Sequence, residues 1–211
     1  MRLLFATSNP HKVREVSQIL GAVGIEVVSL DSLGKSFPEP DETAESFAAI
    51  AQQKAIAYAQ MTGLSCLAED SGLEVDALGG APGVHSARYS GIGGGRAERD
   101  VANNQKLLTA LQGVASERRT ARFVCAMCVA SPSGEVLAHS FGTMEGRIAE
   151  GLLGDQGFGY DPLLFLPELG KTSAQLAPEE KNARSHRGQA ARRLAELLRD
   201  QSLSHAASTR A

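Results

Sequence analysis

The first thirty residues alternate between short apolar runs and one helical pattern, and this alternation constrains the fold more than any other feature. Residues 2–6 indicate a buried strand. Asn9 then provides a helix N-cap with Pro10 at the first helical position, where its missing N–H costs nothing. Apolar residues recur at helical spacing up to Gly21, and residues 25–30 indicate a second strand. The chain therefore begins with a strand, a helix and a strand.

The rest of the chain continues this alternation. Further elements are predicted in the following order: a helix over 43–61, a strand over 64–69, a helix over 97–111, strands over 122–131 and 135–148, a short strand within 151–171 and a helix over 185–199. The strands on either side of the turn at 132–134 are joined so closely that they must be antiparallel. The pattern predicts an α/β fold, with a long mixed β-sheet flanked by helices.

Composition sets the outer limits. With 211 residues, 43% of them hydrophobic, the chain can build a real core, and we expect one domain over residues 1–200 with a frayed tail over 201–211. A net charge of -3 argues against a nucleic-acid partner, and the longest apolar run, 123–130, is too short for a membrane partner. The three cysteines favour a reducing compartment, hence the cytoplasm. Cys125 and Cys128 have the spacing of half a zinc site, but no second pair completes it.

The stretch AEDSGLEVDALGGAPG, residues 68–83, places Glu69 and Asp70 side by side at the predicted end of a strand. Neighbouring carboxylates disfavour each other's ionisation unless a cation lies between them. The stretch therefore indicates either a metal ion or simple surface exposure.

The stretch ATSNPHK, residues 6–12, has the outline of a phosphate site. A strand that leads into a helix N-terminus presents unpaired N–H groups and the positive end of the helix dipole, and Lys12 adds a charge. The alternative is an ordinary capped helix with Lys12 in solvent, because the glycine pattern of a P-loop is missing.

Acidic residues cluster in two places, at Glu39, Asp41 and Glu42 and at Glu69 and Asp70. Mg²⁺ commonly needs just one or two protein carboxylates, because substrate phosphates and waters complete its shell. These residues are candidate Mg²⁺ ligands, although acids in loops and near helix starts are also explained by solvation and the helix dipole.

Two C-terminal stretches, GFGYDP at 157–162 and EEKNARSHRG at 179–188, combine aromatic rings with basic side chains. Such a set suits a purine, which stacks on a ring and accepts hydrogen bonds from basic groups. The alternative is that Phe158 and Tyr160 are ordinary core and turn residues.

Four longer stretches extend these patterns in order over residues 2–198: FATSNPHKVREV, AEDSGLEVDALGGAPGVHSARYSG, FGYDPLLF and EEKNARSHRG. Together they resemble the signature blocks of the non-canonical purine nucleoside triphosphate pyrophosphatases, the inosine and xanthosine triphosphate family. The resemblance implies an inosine triphosphate pyrophosphatase-like fold, a homodimer, dependence on Mg²⁺, and cleavage of a purine nucleoside triphosphate to the monophosphate and pyrophosphate.

The resemblance also implies roles for individual residues. Asp70 matches the catalytic acid, and Glu42 with Asp70 the metal carboxylates. Substrate contacts match at Thr7, Ser8, Asn9, Pro10, His11, Lys12, Lys54 and Ser71, and on the nucleoside side at Phe158, Gly159, Tyr160, Asp161, Lys181, His186 and Arg187. The chain departs from the family pattern at Ile50, where an asparagine is common, and at Glu69, where aspartate is commoner.

Selectivity would follow from the purine 6-oxo group, which accepts hydrogen bonds from His186 or Arg187, whereas adenine presents a donor amine there. Two alternatives remain open: a pyrophosphatase for modified pyrimidine or methylated nucleotides, as in the septum-formation inhibitor family, and a nucleotide-binding protein without catalysis. The SHRG stretch argues against the first and the acids and lysines against the second.

Overall fold

The structure is a computed structural model that describes residues 1–41 and 43–208, with side chains described as far as Asp200. The helices are α1 (Pro10–Gly21), α2 (Phe47–Thr62), α3 (Arg96–Ala110), α4 (Pro178–Arg184) and α5 (His186–Ser208). The strands are β1 (Arg2–Phe5), β2 (Glu26–Ser29), β3 (Cys66–Val75), β4 (Thr120–Ala130), β5 (Val136–Ile148), β6 (Leu164–Leu166) and β7 (Lys171–Thr172).

The strands form one mixed sheet in the order β2-β1-β3-β4-β5-β6-β7. Strand β1 pairs in parallel with β2 and β3, whereas β6 pairs antiparallel with β5 and β7. Strands β4 and β5 are neighbours joined by residues 131–135, a connection far too short for a parallel crossover. The predicted α/β fold with a mixed sheet is confirmed.

The N-terminal strand, helix and strand form as predicted, and the local reason is the cap of α1. The Asn9 backbone is extended, its Oδ1 accepts a hydrogen bond from the His11 N–H at 3.1 Å, and Pro10 occupies the first turn. Val16 and Leu20 bury the inner face of the helix, and α1 packs against α5.

Several elements differ from the predictions. Helix α2 begins at Phe47 rather than at residue 43, and two short strands, β6 and β7, lie where one was predicted. Strand β3 was expected to end at the paired acids but continues to Val75, because the alternating residues Leu73 and Val75 are buried. Helix α4 was missed, because its seven residues are too short for a helical period. Helix α5 runs past Arg199 to Ser208. A single domain over 1–200 remains a prediction.

The chain divides into two compact units, and each has its own apolar core. Unit 1 comprises residues 1–70, residues 125–142 and the chain from His186 onward; its core includes Leu3, Phe5, Leu20, Leu67, Met127 and Leu194. Unit 2 comprises residues 71–124 and 143–185; its core includes Leu73, Leu107, Phe123, Ile148, Tyr160 and Leu164. No helix in the described ranges is long and apolar enough to cross a bilayer.

Candidate active site

The N-terminus of α1 contains a buried hydrogen-bond donor, the side-chain amide of Asn9. Thr7 Oγ1 accepts a hydrogen bond from the Asn9 N–H at 3.2 Å, which fixes the approach to the helix. Asn9 is buried, with 3% of its surface exposed, and its Nδ2 has no hydrogen-bond partner among the described residues. A buried amide donor at a helix start, where the helix dipole is positive, suits an anion.

Glu69 is buried in unit 1 at the centre of a charged cluster. Arg187 donates from Nε to Glu69 Oε2 at 2.8 Å and from Nη2 to Glu69 Oε1 at 3.0 Å. Lys12 Nζ lies 2.9 Å from Glu69 Oε1, and Arg187 Nη1 donates to Glu15 Oε2 at 2.7 Å. Two cations and two carboxylates therefore neutralise one another inside the unit.

The electrostatics of this cluster keep Glu69 charged. Burial would raise the pKa of the Glu69 carboxyl, but the charges of Arg187 and Lys12 and their hydrogen bonds hold that pKa well below its usual range. Burial and the neighbouring Glu69 charge raise the pKa of Cys125, whose Sγ donates to Glu69 Oε2 at 3.6 Å. The charge of Glu69 is therefore balanced by the side chains of Arg187 and Lys12. The sequence had indicated either a metal ion or surface exposure at this position, and neither describes Glu69.

Asp70 is separated from this cluster by the alternation of β3, since successive side chains of a strand point to opposite faces. Its Oδ1 lies 3.7 Å from Lys54 Nζ on α2, and the two side chains are 13% and 19% exposed. Ile50, one turn before Lys54, is buried in the core at 1% exposure. The site therefore pairs a partly accessible carboxylate with a partly accessible ammonium group.

Unit 2 contains the predicted nucleoside residues from Phe158 to Lys181. Asp161 Oδ2 accepts from the Phe158 N–H at 2.8 Å and from Lys181 Nζ at 2.6 Å, and its Oδ1 accepts from Ser173 Oγ at 2.7 Å. Lys181 Nζ also lies 5.2 Å from the centroid of the Phe158 ring. These contacts fix the turn over residues 157–161, which we call the aromatic turn.

Gly157 is required in the aromatic turn for two reasons. Its φ of +81° is a conformation that L side chains rarely adopt. A Cβ on Gly157 would also collide with Asp161 Oδ2 and would lie 3.1 Å from Lys181 Nζ. The buried pair of Asp161 and Lys181 therefore depends on a residue without a side chain.

The start of α5 holds His186 and Arg187, both in unit 1 and both buried. Gly142 of β5 packs directly on this turn, because a Cβ there would meet the His186 carbonyl oxygen and would lie 2.8 Å from the Ala190 nitrogen. Main-chain contact thus sets the position of His186.

The structure places the predicted residues in two groups. In unit 1, contacts join Lys12 to Arg187 through Glu69 and join Lys54 to Asp70. The other predicted residues of unit 1 are Thr7, Ser8, Asn9, Pro10, His11 and His186, and those of unit 2 are Ser71, Phe158, Gly159, Tyr160, Asp161 and Lys181. Glu42 lies outside the described residues. Sequence reasoning missed Glu15, Asp100 and Asn104 as supporting residues, because their partners are distant in the chain.

These features define an α/β protein with a buried amide donor at the start of α1 and a charged pair between β3 and α2. Comparison with known proteins identifies its family. The Ham1 family model matches residues 3–197. A curated protein of Exiguobacterium sp., named dITP/XTP pyrophosphatase, is 50% identical over 94% of this chain and 97% of its own. One of Desulforamulus reducens with the same name is 46% identical over 94% and 96%.

Solved structures give the same result. A HAM1 protein from Coxiella burnetii has a TM-score of 0.84 and 36% identity, covering 95% of this chain and 99% of that one. A nucleoside-triphosphatase, dITP/XTP pyrophosphatase, from Mycobacterium abscessus has a TM-score of 0.73 and 44% identity, covering 94% and 99%. The protein belongs to the Ham1 family.

Proposed function

We propose that this protein hydrolyses non-canonical purine nucleoside triphosphates, namely dITP, ITP and XTP, to the monophosphate and pyrophosphate, and so cleanses the nucleotide pool. The curated relatives named dITP/XTP pyrophosphatase, which align over more than nine-tenths of both chains, support this activity. The single structural observation that carries it is the Asp70–Lys54 pair, in which a carboxylate and a cation are both partly accessible.

The triphosphate is proposed to bind at the start of α1. Thr7, Ser8, Asn9, Pro10 and His11 form that segment. The Asn9 Nδ2 supplies a donor to a phosphate oxygen, and the positive end of the helix dipole favours the anion. Lys12 and Lys54 add positive charge, which offsets the repulsion between the triphosphate and an attacking water. Ser71, next to Asp70 on β3, is proposed as a further substrate contact.

Asp70 is proposed as the general base. It accepts a proton from a water whose oxygen forms a bond to the α-phosphorus, while the bond between that phosphorus and the α–β bridging oxygen breaks and pyrophosphate leaves. General-base catalysis contributes typically about 10²- to 10⁴-fold in rate. Lys54, 3.7 Å from Asp70, favours the ionised carboxylate that this role needs.

Mg²⁺ is the proposed cofactor, held by Asp70 and Glu42. The donor set fits, because Asp70 offers carboxylate oxygens and Mg²⁺ often uses one or two carboxylates with substrate phosphates and waters. Glu69 is not a ligand in this proposal, because Arg187 and Lys12 already contact both of its oxygens. No cluster of three potential ligands exists within the described ranges. When bound, the ion neutralises charge on the phosphate oxygens.

The nucleoside is proposed to contact Phe158, Gly159, Tyr160, Asp161 and Lys181, with His186 and Arg187 as donors to the purine 6-oxo group. The carboxylates of Glu69 and Glu15 hold the Arg187 guanidinium in one orientation. Adenine presents an amine at the same ring position, so donors there discriminate against ATP.

We also propose that the protein works as a homodimer in the cytoplasm, without nucleic-acid or membrane partners. The free thiols of Cys66, Cys125 and Cys128 are buried, which supports a reducing compartment.

A pyrophosphate-release assay tests the function. dITP, ITP, XTP, dGTP, dATP and a methylated pyrimidine triphosphate are compared with and without Mg²⁺. We expect release from the first three, at least tenfold faster than from dATP, and loss of release without the metal. Equal rates on all six substrates would refute the proposed selectivity. Preference for the pyrimidine would assign the protein to the alternative class, and no release at all would leave a binding protein.

A further inference from the structure

We propose that Asp100 and Asn104 of α3 are positioning residues that place the aromatic turn and thereby set the selectivity for the nucleobase. This inference rests on the proposed function and deepens it. Neither residue is part of the proposed binding or catalytic set, and both lie with the turn in unit 2.

The side chains of Asp100 and Asn104 both form hydrogen bonds to Gly159 of the aromatic turn. Asp100 Oδ2 accepts a hydrogen bond from the Gly159 N–H at 3.0 Å, and Asn104 Nδ2 donates to the Gly159 carbonyl oxygen at 2.9 Å. Residues four apart on a helix lie on the same face, so one face of α3 holds both polar groups of one residue. The two hydrogen bonds to Gly159 therefore fix the position and the orientation of the aromatic turn relative to α3.

The hydrogen bonds within the turn cannot supply that placement. The contacts of Asp161 with Phe158 and Lys181 close the turn on itself and on α4, but they do not connect it to α3. The Tyr160 hydroxyl adds one tie, donating to the Ser86 carbonyl oxygen at 2.8 Å. Gly159 is thus the point at which α3 fixes the turn between Phe158 and Tyr160.

Helix α3 is itself held in place by Asn103, the residue next to Asn104. Asn103 donates from Nδ2 to the Ser86 carbonyl oxygen at 3.2 Å and accepts at Oδ1 from the Ser90 N–H at 2.7 Å. Asn103 and Asn104 are both buried, at 2% and 6% exposure. Adjacent buried amides therefore connect the segment around Ser86 and the aromatic turn through one helix.

The position of the aromatic turn determines how a purine base can stack and form hydrogen bonds. A ring that stacks on a purine discriminates only when its plane is held, since the hydrogen bonds to the base edge depend on the same placement. Loss of either α3 contact lets Gly159 move, and Phe158 moves with it. Asp100 and Asn104 are not part of the Asp70–Lys54 pair proposed for the chemical step, so that step is expected to be nearly unaffected.

Steady-state kinetics test the proposal with Asp100→Ala and Asn104→Ala, each against dITP and dATP. We expect KM for dITP to rise about tenfold with kcat within about twofold of wild type. We also expect the ratio of kcat/KM for dITP to that for dATP to fall at least fivefold. Asp100→Asn keeps an acceptor oxygen and should restore most of the ratio. Gln105→Ala, on the exposed side of the same helix, is the matched control and should change neither value.

Hydrogen exchange gives a readout that does not depend on turnover. The Gly159 amide should exchange at least tenfold faster in Asp100→Ala, while amides within α3 keep their protection. If the selectivity ratio stays at the wild-type value, the positioning role is wrong, whether or not the Gly159 amide exchanges faster. The proposed pyrophosphatase activity would be unaffected by that result. A wild-type protein that releases no pyrophosphate overturns the proposed function instead, and with it the selectivity claim.

Discussion

Glu69 and Arg187 lie 118 residues apart in the chain and form a buried bidentate pair, with N–O distances of 2.8 and 3.0 Å. The pair joins strand β3 to the first turn of α5. Lys12 completes the arrangement from α1, so three elements of unit 1 meet at one carboxylate. The same pair makes specific predictions for stability.

Replacement Glu69→Gln should strongly destabilise the protein. It leaves the Arg187 guanidinium and the Lys12 ammonium facing a neutral amide, and breaking a buried ion pair on one side costs about 3–5 kcal/mol. Urea denaturation of both proteins measures the free energy of unfolding. Glu26→Gln is the control, since the Arg2–Glu26 pair at 3.4 Å is exposed and its loss should have little effect. Equal effects of the two changes would contradict the assigned role.

The contribution of Glu69 should depend on pH in a defined direction. Its pKa is held below the unfolded value of about 4.3, so the stabilisation is complete above that pH and is lost as the pH falls toward the folded pKa. The difference in unfolding free energy between wild type and Glu69→Gln should therefore shrink between about pH 5 and pH 3. A difference that stays constant over that range would mean that Glu69 is not ionised in the folded protein.

Replacement Asp70→Asn should remove most of the activity and leave the fold intact. The amide cannot accept the proton of the attacking water, so kcat should fall by about 10²- to 10⁴-fold. Thermal unfolding should change little, because the amide has nearly the same shape as the carboxylate and the Asp70–Lys54 pair, at 3.7 Å, is partly accessible. Asp31→Asn, at an exposed position after β2, serves as the control. Near-normal turnover in Asp70→Asn would remove this residue from the mechanism.

The cysteines should be inert in the folded protein. Burial raises the pKa of Cys66 to about 12 and that of Cys128 to about 11, and the pKa of Cys125 is also raised. The reactive species is the thiolate, which is scarce at pH 8 for such groups. A chromogenic disulfide reagent should titrate none of the 3 thiols in native buffer and all of them in guanidinium chloride. Rapid reaction of one thiol in native buffer would contradict its burial.

Much of the fold follows from local sequence signals. Helix α1 could be predicted from its Asn9 cap, from Pro10 and from the spacing of its apolar residues. Each of these signals acts within one or two helical turns of its own position. Strand β3 was predicted too short, because the buried side chain of Glu69 and the half-buried Asp70 look like the end of a strand when their partners are unknown.

The site was predictable in its residue types and less so in its connections. Lys12 was expected to face a phosphate or solvent, but its described ion pair is with Glu69. The contacts of Asp100 and Asn104 with Gly159 span 59 and 55 residues. The spacing of residues along the sequence does not predict contacts between such distant positions. Long-range hydrogen bonds can be identified only in the structure, whereas helix caps and turns can be predicted from the sequence.

Gly142 lets β5 and the start of α5 approach until main chain meets main chain. A Cβ at residue 142 would collide with the His186 carbonyl oxygen and would lie 2.8 Å from the Ala190 nitrogen. A larger residue would therefore have to push the first turn of α5 away from the strand, and Arg187 would move with that turn and away from Glu69. A residue with no side chain thus protects a buried ion pair to which it contributes no atom.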